Sequence, residues 1–394
     1  MKIQGTNQSV HPERLKEARS LDTDQNGLID NQEVLAHLQH EGLDLTRGDT
    51  RALVGEFKLH LEKLPHPALS SYPSSDEVAQ ELAALERRYP NLARRVSLGQ
   101  THEGREIWAL QISQGVRCQD TSDRPGVVLT GLHHAREWMS SQPPLEVARQ
   151  LLEGYASDPE MKRRVEQAEI WVVPVVNPDG YEYSRSQDNW WKKNRRPVGE
   201  TACGEPTEAI GTDLNRNYLS PRPQDLELYR PAGDTPCSTA DDFEHTSDDP
   251  GSPHYRGPRG NSEPEVQALL RLELGRGNIR GVLDHHGYGE MILYPWSHTL
   301  QPPPERDQLH DLGQRMNEGL GYRVMQSAEL YANSGSSDGV HCANGILSYT
   351  LEIGRSYQPP PDQIKPISES VARANLVFLD EVIERSQGSF TRRS

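Results

Sequence analysis

No apolar stretch in this chain approaches the roughly 18 residues needed to span a bilayer. The start, Met1-Lys2-Ile3-Gln4-Gly5-Thr6, lacks the apolar core of a secretion signal. Positive charge is also short: 42 Lys and Arg against 58 Asp and Glu leave a net charge of −16. Phosphate backbones and anionic lipid surfaces repel such a chain, so neither nucleic acid nor a membrane is an expected partner. Cysteine is scarce, and Cys118, Cys203, Cys237 and Cys342 include no C-x-x-C pair. That excludes a disulfide scaffold and argues against a thiolate zinc site, while leaving room for one or two bridges or for four buried thiols. No internal repeat or low-complexity array is visible. The 394 residues, 34% of them hydrophobic, suffice for one sizeable core and a small second domain.

The first 64 residues form that small domain. A helix opening at Pro12 leads into Asp22-Thr23-Asp24-Gln25-Asn26-Gly27-Leu28-Ile29-Asp30-Asn31-Gln32-Glu33, which fits an EF-hand loop at each diagnostic place. Asp22, Asp24 and Asn26 supply oxygens, and Gly27 allows the sharp turn. Leu28 offers its carbonyl, Asp30 binds directly or through water, and Glu33 binds with both oxygens. One Ca2+ is expected here. Ile29 can pair with a neighbouring loop or pack inward, and residues 48–64 are the candidate degenerate partner. Residues 65–75, rich in Pro and Ser, read as a linker.

From Asp76 to the end, apolar runs alternate with amphipathic segments. Strands are expected at 107–112, 126–132, 170–176, 281–286, 291–294 and 348–352. Helices are expected at 77–89, 144–155, 263–274, 306–320 and 363–386. The alternation implies an α/β domain whose sheet is covered on both faces, with function at strand ends. Residues 197–260 show little periodicity and read as a long surface excursion.

At the end of the run 126–130 stands Gly131-Leu132-His133-His134-Ala135-Arg136-Glu137-Trp138. His and Glu three apart occur often by chance, and a surface turn is their ordinary reading. Where the backbone turns between them, both can reach one cation, and a catalytic zinc takes three such ligands plus water. His286, at the end of the run 281–286, supplies the third. Its neighbour His285, like His133 beside His134, is an alternative, but alternation along a strand turns only one of each pair toward a common site. His134, Glu137 and His286 are the favoured set.

Seven motifs in order carry a resemblance that spans about Ser74 to Arg385. They are His134-Ala135-Arg136-Glu137-Trp138, Asn177-Pro178-Asp179-Gly180-Tyr181, Trp191-Lys192-Lys193-Asn194-Arg195, Asp213-Leu214-Asn215-Arg216-Asn217, His286-Gly287-Tyr288, Tyr331, and Thr350-Leu351-Glu352. Here the chain resembles the zinc metallocarboxypeptidases of the carboxypeptidase A and B type. The resemblance implies a three-layer α/β/α domain with a central mixed sheet, one catalytic Zn2+, and peptide or protein C-termini as substrates of a monomer. By resemblance, Glu352 is the general base toward a zinc-activated water, Asn215 and Arg216 grip the terminal carboxylate, Tyr331 closes over it, and Arg136 belongs to a subsite.

Three departures stand out. Lys192 replaces the arginine that polarises the scissile carbonyl, with Arg195 as a substitute candidate. Ile353-Gly354 follows Glu352 where the animal enzymes have Arg-Asp. The loop from Tyr331 to Glu352 is one residue short. Asp338 falls where the B type places the aspartate that receives a basic side chain, and Ser297 where that type is small and polar, so terminal Lys or Arg is the expected preference. The resemblance also implies a Cys203–Cys237 bridge; Cys118 and Cys342 can form a second or else are free. A bridge and a calcium site favour an extracytoplasmic place, and the missing signal opposes it. A cell-wall γ-D-glutamyl-diamino acid peptidase of the same superfamily, or a non-catalytic peptide- or calcium-binding relative, are the alternatives.

Overall fold

The structure, a computed structural model, describes residues 69–201, 204–230 and 245–390, and two short strands before them, β1 (Leu28–Asp30) and β2 (Lys58–His60). These two pair antiparallel with Ile29 opposite Leu59. The rest of the expected calcium loop lies outside the described residues, as do Cys203 and Cys237. The chain divides into two compact units, Met1–Ser71 with Tyr183–Trp191, and Tyr72–Glu182 with Lys192–Ser394.

The second unit is built on β3 (Ala93–Gln100), β4 (Glu106–Ile112), β5 (Gly126–Gly131), β6 (Glu169–Val173), β9 (Ile279–His286), β10 (Met291–Tyr294), β11 (Arg323–Gln326) and β12 (Leu347–Glu352), with β7 (Pro197–Glu200) and β8 (Pro206–Ile210) forming a separate hairpin. The eight strands make one mixed sheet in the order β11-β10-β12-β9-β5-β6-β4-β3. Its four central strands, β12, β9, β5 and β6, run parallel. They are nearly continuous runs of buried residues, such as Val127, Val128 and Leu129, as parallel strands covered on both sides must be. Each fully buried aliphatic side chain contributes about 1.5–3 kcal/mol relative to exposure.

Helices α1 (Ser75–Arg88), α2 (Gln142–Gly154), α3 (Pro159–Gln167), α4 (Pro178–Ser186, of which the part to Glu182 belongs to this unit), α5 (Pro264–Glu273), α6 (Arg306–Met316), α7 (Ser327–Leu330), α8 (Ser337–Ala343) and α9 (Pro361–Phe390) complete the domain. Alternation along β9 shows the two covered faces. Gly281 faces α9, where a Cβ would come 2.7 Å from Val382 and 2.9 Å from Phe378, so glycine lets the helix approach. The next residue, Val282, belongs instead to the cluster of Val128, Trp171, Val266 and Leu269 beneath α5. From β5 the chain passes to β6 on one side and later to β9 and β12 on the other. Strand order therefore reverses between β5 and β9, and the ends of those strands are where an open α/β sheet places its site.

One expectation is corrected, and one left open is decided. The described parts of 197–260 do not all lie on the surface: Asp213 to Tyr218, Thr246, Ser247 and Arg256 are buried. Side-chain amides hold this backbone, with Asn217 Nδ2 donating to Arg256 O (2.7 Å) and Arg259 O (2.9 Å), so it packs without a repeating pattern. Cys118, exposed after β4, and Cys342, on α8, are free thiols and form no bridge. No helix among the described residues is long and apolar enough to cross a membrane.

Candidate active site

After β5 the chain turns through Leu132, which is buried at φ +56° with its N–H donating to Ser140 Oγ at 2.9 Å. A left-handed leucine costs about 1–3 kcal/mol and persists where the surroundings over-determine it. The turn brings His134 and Glu137 onto one point, Nδ1 lying 2.8 Å from Oε1. His286 arrives from the end of β9, its Nδ1 3.0 Å from Glu137 Oε2 and 3.2 Å from His134 Nδ1. Burial opposes ionisation of Glu137, but the imidazoles of His134 and His286 outweigh it and hold its carboxyl well below the usual range.

The outer nitrogens of both rings meet carboxylates. His134 Nε2 lies 3.0 Å from Asp213 Oδ1, and His286 Nε2 lies 2.9 Å from Asp284 Oδ2. A ring that donates its Nε2 proton outward directs its Nδ1 lone pair inward, the arrangement of metal-binding histidines. The three donor groups lie within 4.8 Å of one another, and two imidazoles with a carboxylate suit zinc. A second grouping, His133, Asp284 and His286, is already committed. His133 Nε2 bonds the Tyr218 hydroxyl at 2.8 Å, and Asp284 accepts from Thr130 Oγ1 (2.7 Å) and Ser337 Oγ (3.0 Å). His285 points the other way, to Thr130 O and Asn375.

Glu352 ends β12 in register with His286, one strand spacing of about 4.8 Å away. Burial pushes its carboxyl up to about 8, against the pull of His286. Lys192 is buried, its Nζ donating to Asp213 Oδ2 at 2.6 Å and lying 3.0 Å from His254 Nδ1. Arg195, the candidate substitute, lies 3.7 Å from Glu103 Oε1 instead. Arg136 stacks over the Tyr357 ring at 4.4 Å.

Asn215 and Arg216 sit on a buried single turn after Asp213. Gly335, at φ +73°, makes this possible: a Cβ there would meet Arg216 O at 2.1 Å. Arg216 Nε donates to His245 O (2.5 Å) and Nη1 to Asn215 O (2.7 Å). Tyr331 packs at a tilt against His245 with ring centroids 4.2 Å apart, and burial raises its hydroxyl pKa although Arg216 opposes this.

Ser337 N–H donates to Asn215 Oδ1 at 2.9 Å, which ties α8 to this turn. The next residue, Asp338, is buried, accepting from Ser336 Oγ (2.5 Å), Ser327 Oγ (2.9 Å) and the Gly339 N–H (2.8 Å). Ser297 Oγ lies 2.5 Å from Ser336 Oγ. Among the described residues no Lys, Arg or His lies within ion-pair distance of Asp338. Sequence reasoning gave no role to Asp213, Asp284 or His254. Two of them carried a signal: Asp213 heads one of the seven motifs, and Asp284, two residues before His286 on one strand, shares its face.

Comparison with known proteins accords with this geometry. The zinc carboxypeptidase family profile matches residues 78–374. Carboxypeptidase A4 of Mus musculus is 29% identical over 356 residues, covering 85% of this chain and 78% of the relative. A zinc carboxypeptidase of Saccharothrix mutabilis subsp. capreolus is 30% identical over 293 residues, covering 72% of this chain and 62% of the relative. Among solved structures, thrombin activatable fibrinolysis inhibitor shares the fold with a TM-score of 0.69 at 21% identity, covering 95% of this chain and 97% of that one. Carboxypeptidase A from Helicoverpa armigera shares it with a TM-score of 0.68 at 22% identity, covering 96% of each.

Proposed function

The chain belongs to the zinc carboxypeptidase family and is a metallocarboxypeptidase; on that premise we propose that it releases single residues from peptide C-termini, preferring Lys and Arg. The observation that carries the preference is the buried Asp338 carboxylate, surrounded by hydroxyls and without a cation of its own. The experiment is release of free amino acids from peptides that differ only in the last residue, Arg, Lys, Leu or Phe.

In this reading His134, Glu137 and His286 hold the metal. Zinc bound there supplies a Lewis acid for the scissile carbonyl and lowers the pKa of water. Glu352 takes the proton of the attacking water and delivers it to the leaving amine. Arg216 presents a planar fork to the terminal carboxylate, with Asn215 beside it and Tyr331 above. A clamp of this kind measures one residue from the chain end, as an exopeptidase requires. Arg136 extends the binding surface toward the preceding residues.

Asp213 and Asp284 orient the two imidazoles. Asp284→Asn lowers zinc affinity by about 10- to 100-fold, read by competition against a chelator, and unchanged affinity would discard that role.

Lys192 donates to the developing oxyanion and works only while protonated. Burial lowers its pKa to about 8 even though Asp213 raises it. Its contribution is therefore present below that value and lost as pH rises through it, and a nearby dication lowers the value further. The alkaline limb of kcat/KM is expected no higher than about pH 8. Lys192→Arg, with a guanidinium charged past pH 12, moves that limb upward by at least about one unit. A limb that stays in place rules Lys192 out as its source.

For residues 1–64 we propose one calcium ion, held by Asp22, Asp24, Asn26, Leu28, Asp30 and Glu33. The pairing of Ile29 with Leu59 supports residues 48–64 as the partner loop. Calorimetric titration is expected to give one site that Glu33→Gln weakens, and no heat of binding would remove the assignment.

A further inference from the structure

The replacement of an expected arginine by Lys192 creates a geometric problem, and the structure contains a solution. A guanidinium is a rigid fork, whereas an ammonium on a four-carbon stem rotates freely. An ammonium held by one carboxylate alone can swing between that carboxylate's oxygens and away from a substrate. Lys192 Nζ has a second anchor, His254 Nδ1 at 3.0 Å, in addition to Asp213 Oδ2 at 2.6 Å. Of its three N–H donors, two are thereby assigned. The third is the one left for the carbonyl oxygen of a substrate.

The other groups are arranged to keep His254 in this role. Burial lowers its pKa to about 4, so the imidazole is neutral and can accept at neutral pH. Acceptance at Nδ1 places the ring proton on Nε2, which lies 3.4 Å from His245 Nδ1. The two rings meet edge to face with centroids 5.0 Å apart. Asp213, meanwhile, is fixed through its other oxygen by His134 Nε2. The ammonium thus sits between a partner tied to the cluster of His134, Glu137 and His286, and a ring supplied by a segment 62 residues further along the chain.

We infer that His254 is a positioning residue for Lys192, accepting one of its protons so that the ammonium is held toward the scissile carbonyl in place of the missing guanidinium. This rests on the reading of Lys192 as the oxyanion donor. The test is a double-mutant cycle on the zinc-loaded full-length protein, with kcat and KM measured on a peptide ending in Arg. His254→Ala is expected to lower kcat about tenfold, part of the roughly 10²–10³ lost when such a donor is removed outright, with KM changed less than about twofold. His254→Asn, whose Oδ1 takes the place of Nδ1, restores most of that loss. In a Lys192→Ala background, His254→Ala costs less than about twofold. If melting shows that His254→Ala unfolds the protein, His254→Gln, whose amide reaches past the Nδ1 position, replaces it in the cycle.

An equal tenfold cost in both backgrounds, with Lys192→Ala itself slow, overturns the positioning role and leaves the reading of Lys192 intact. A Lys192→Ala variant with unchanged kcat overturns both.

Discussion

Glu352→Gln lowers kcat by about 10²–10⁴-fold, with KM and bound zinc nearly unchanged. The substitution keeps the size of the side chain and removes only its capacity to take a proton. Glu352 ends β12 opposite His286, so it stands beside the proposed metal position without being one of the three donors that converge there. Loss of this carboxylate therefore affects proton transfer and not metal binding. Glutamine keeps the size of the side chain and its place at the end of β12, so the Gln variant is expected to melt close to the parent. A variant that retains most of the parental kcat, with zinc bound, removes Glu352 from the role of base.

The second large effect is on selectivity. Asp338→Leu is expected to lower kcat/KM for peptides ending in Arg or Lys and to raise it for those ending in Leu or Phe. Asp338 is buried among Ser327, Ser336 and Ser297, and hydroxyls satisfy its oxygens without neutralising its charge. In the proposed reading a basic substrate side chain supplies the missing cation. In the variant that cation is buried without a partner, at about 3–5 kcal/mol, which is two to three and a half powers of ten at roughly 1.4 kcal/mol each. Parent protein that already favours Leu or Phe, or a variant whose ranking of the four peptides is unchanged, contradicts the assignment.

The parts of the site readable from sequence are those where local geometry decides. His134 and Glu137 are three residues apart at a strand end, and the turn between them suffices to make them converge. The choice of His286 over His285 follows from alternation, and the structure shows His285 turned toward Asn375. The central strands were legible because parallel strands buried on both faces read as apolar runs. Edge strand β3 was not, since Arg94 and Arg95 interrupt its pattern, with Arg95 lying over Trp108 at 4.0 Å. Nor was α3, whose nine residues bury only Val165.

Two of the partners that orient the site, unlike Asp284, are non-local. Asp213 reaches His134 across 79 residues, and His254 reaches Lys192 across 62, within a segment that has no periodic pattern to announce it. There the side chains of Asn217 and Asn261 hold the backbone, and the resulting order is invisible to any test based on hydrophobic spacing. Resemblance pointed to the proposed clamp on Asn215 and Arg216. It did not reveal that Gly335 must be a glycine for Arg216 to sit where it does.

The most direct measurement is the release of free residues from Arg-, Lys-, Leu- and Phe-ended peptides by protein stripped with a chelator and then restored with one equivalent of zinc. Silence in the stripped protein and recovery with zinc, Arg and Lys leaving first, is the predicted result. Zinc-replete protein that leaves every peptide end intact, or stripped protein as active as the restored, contradicts it.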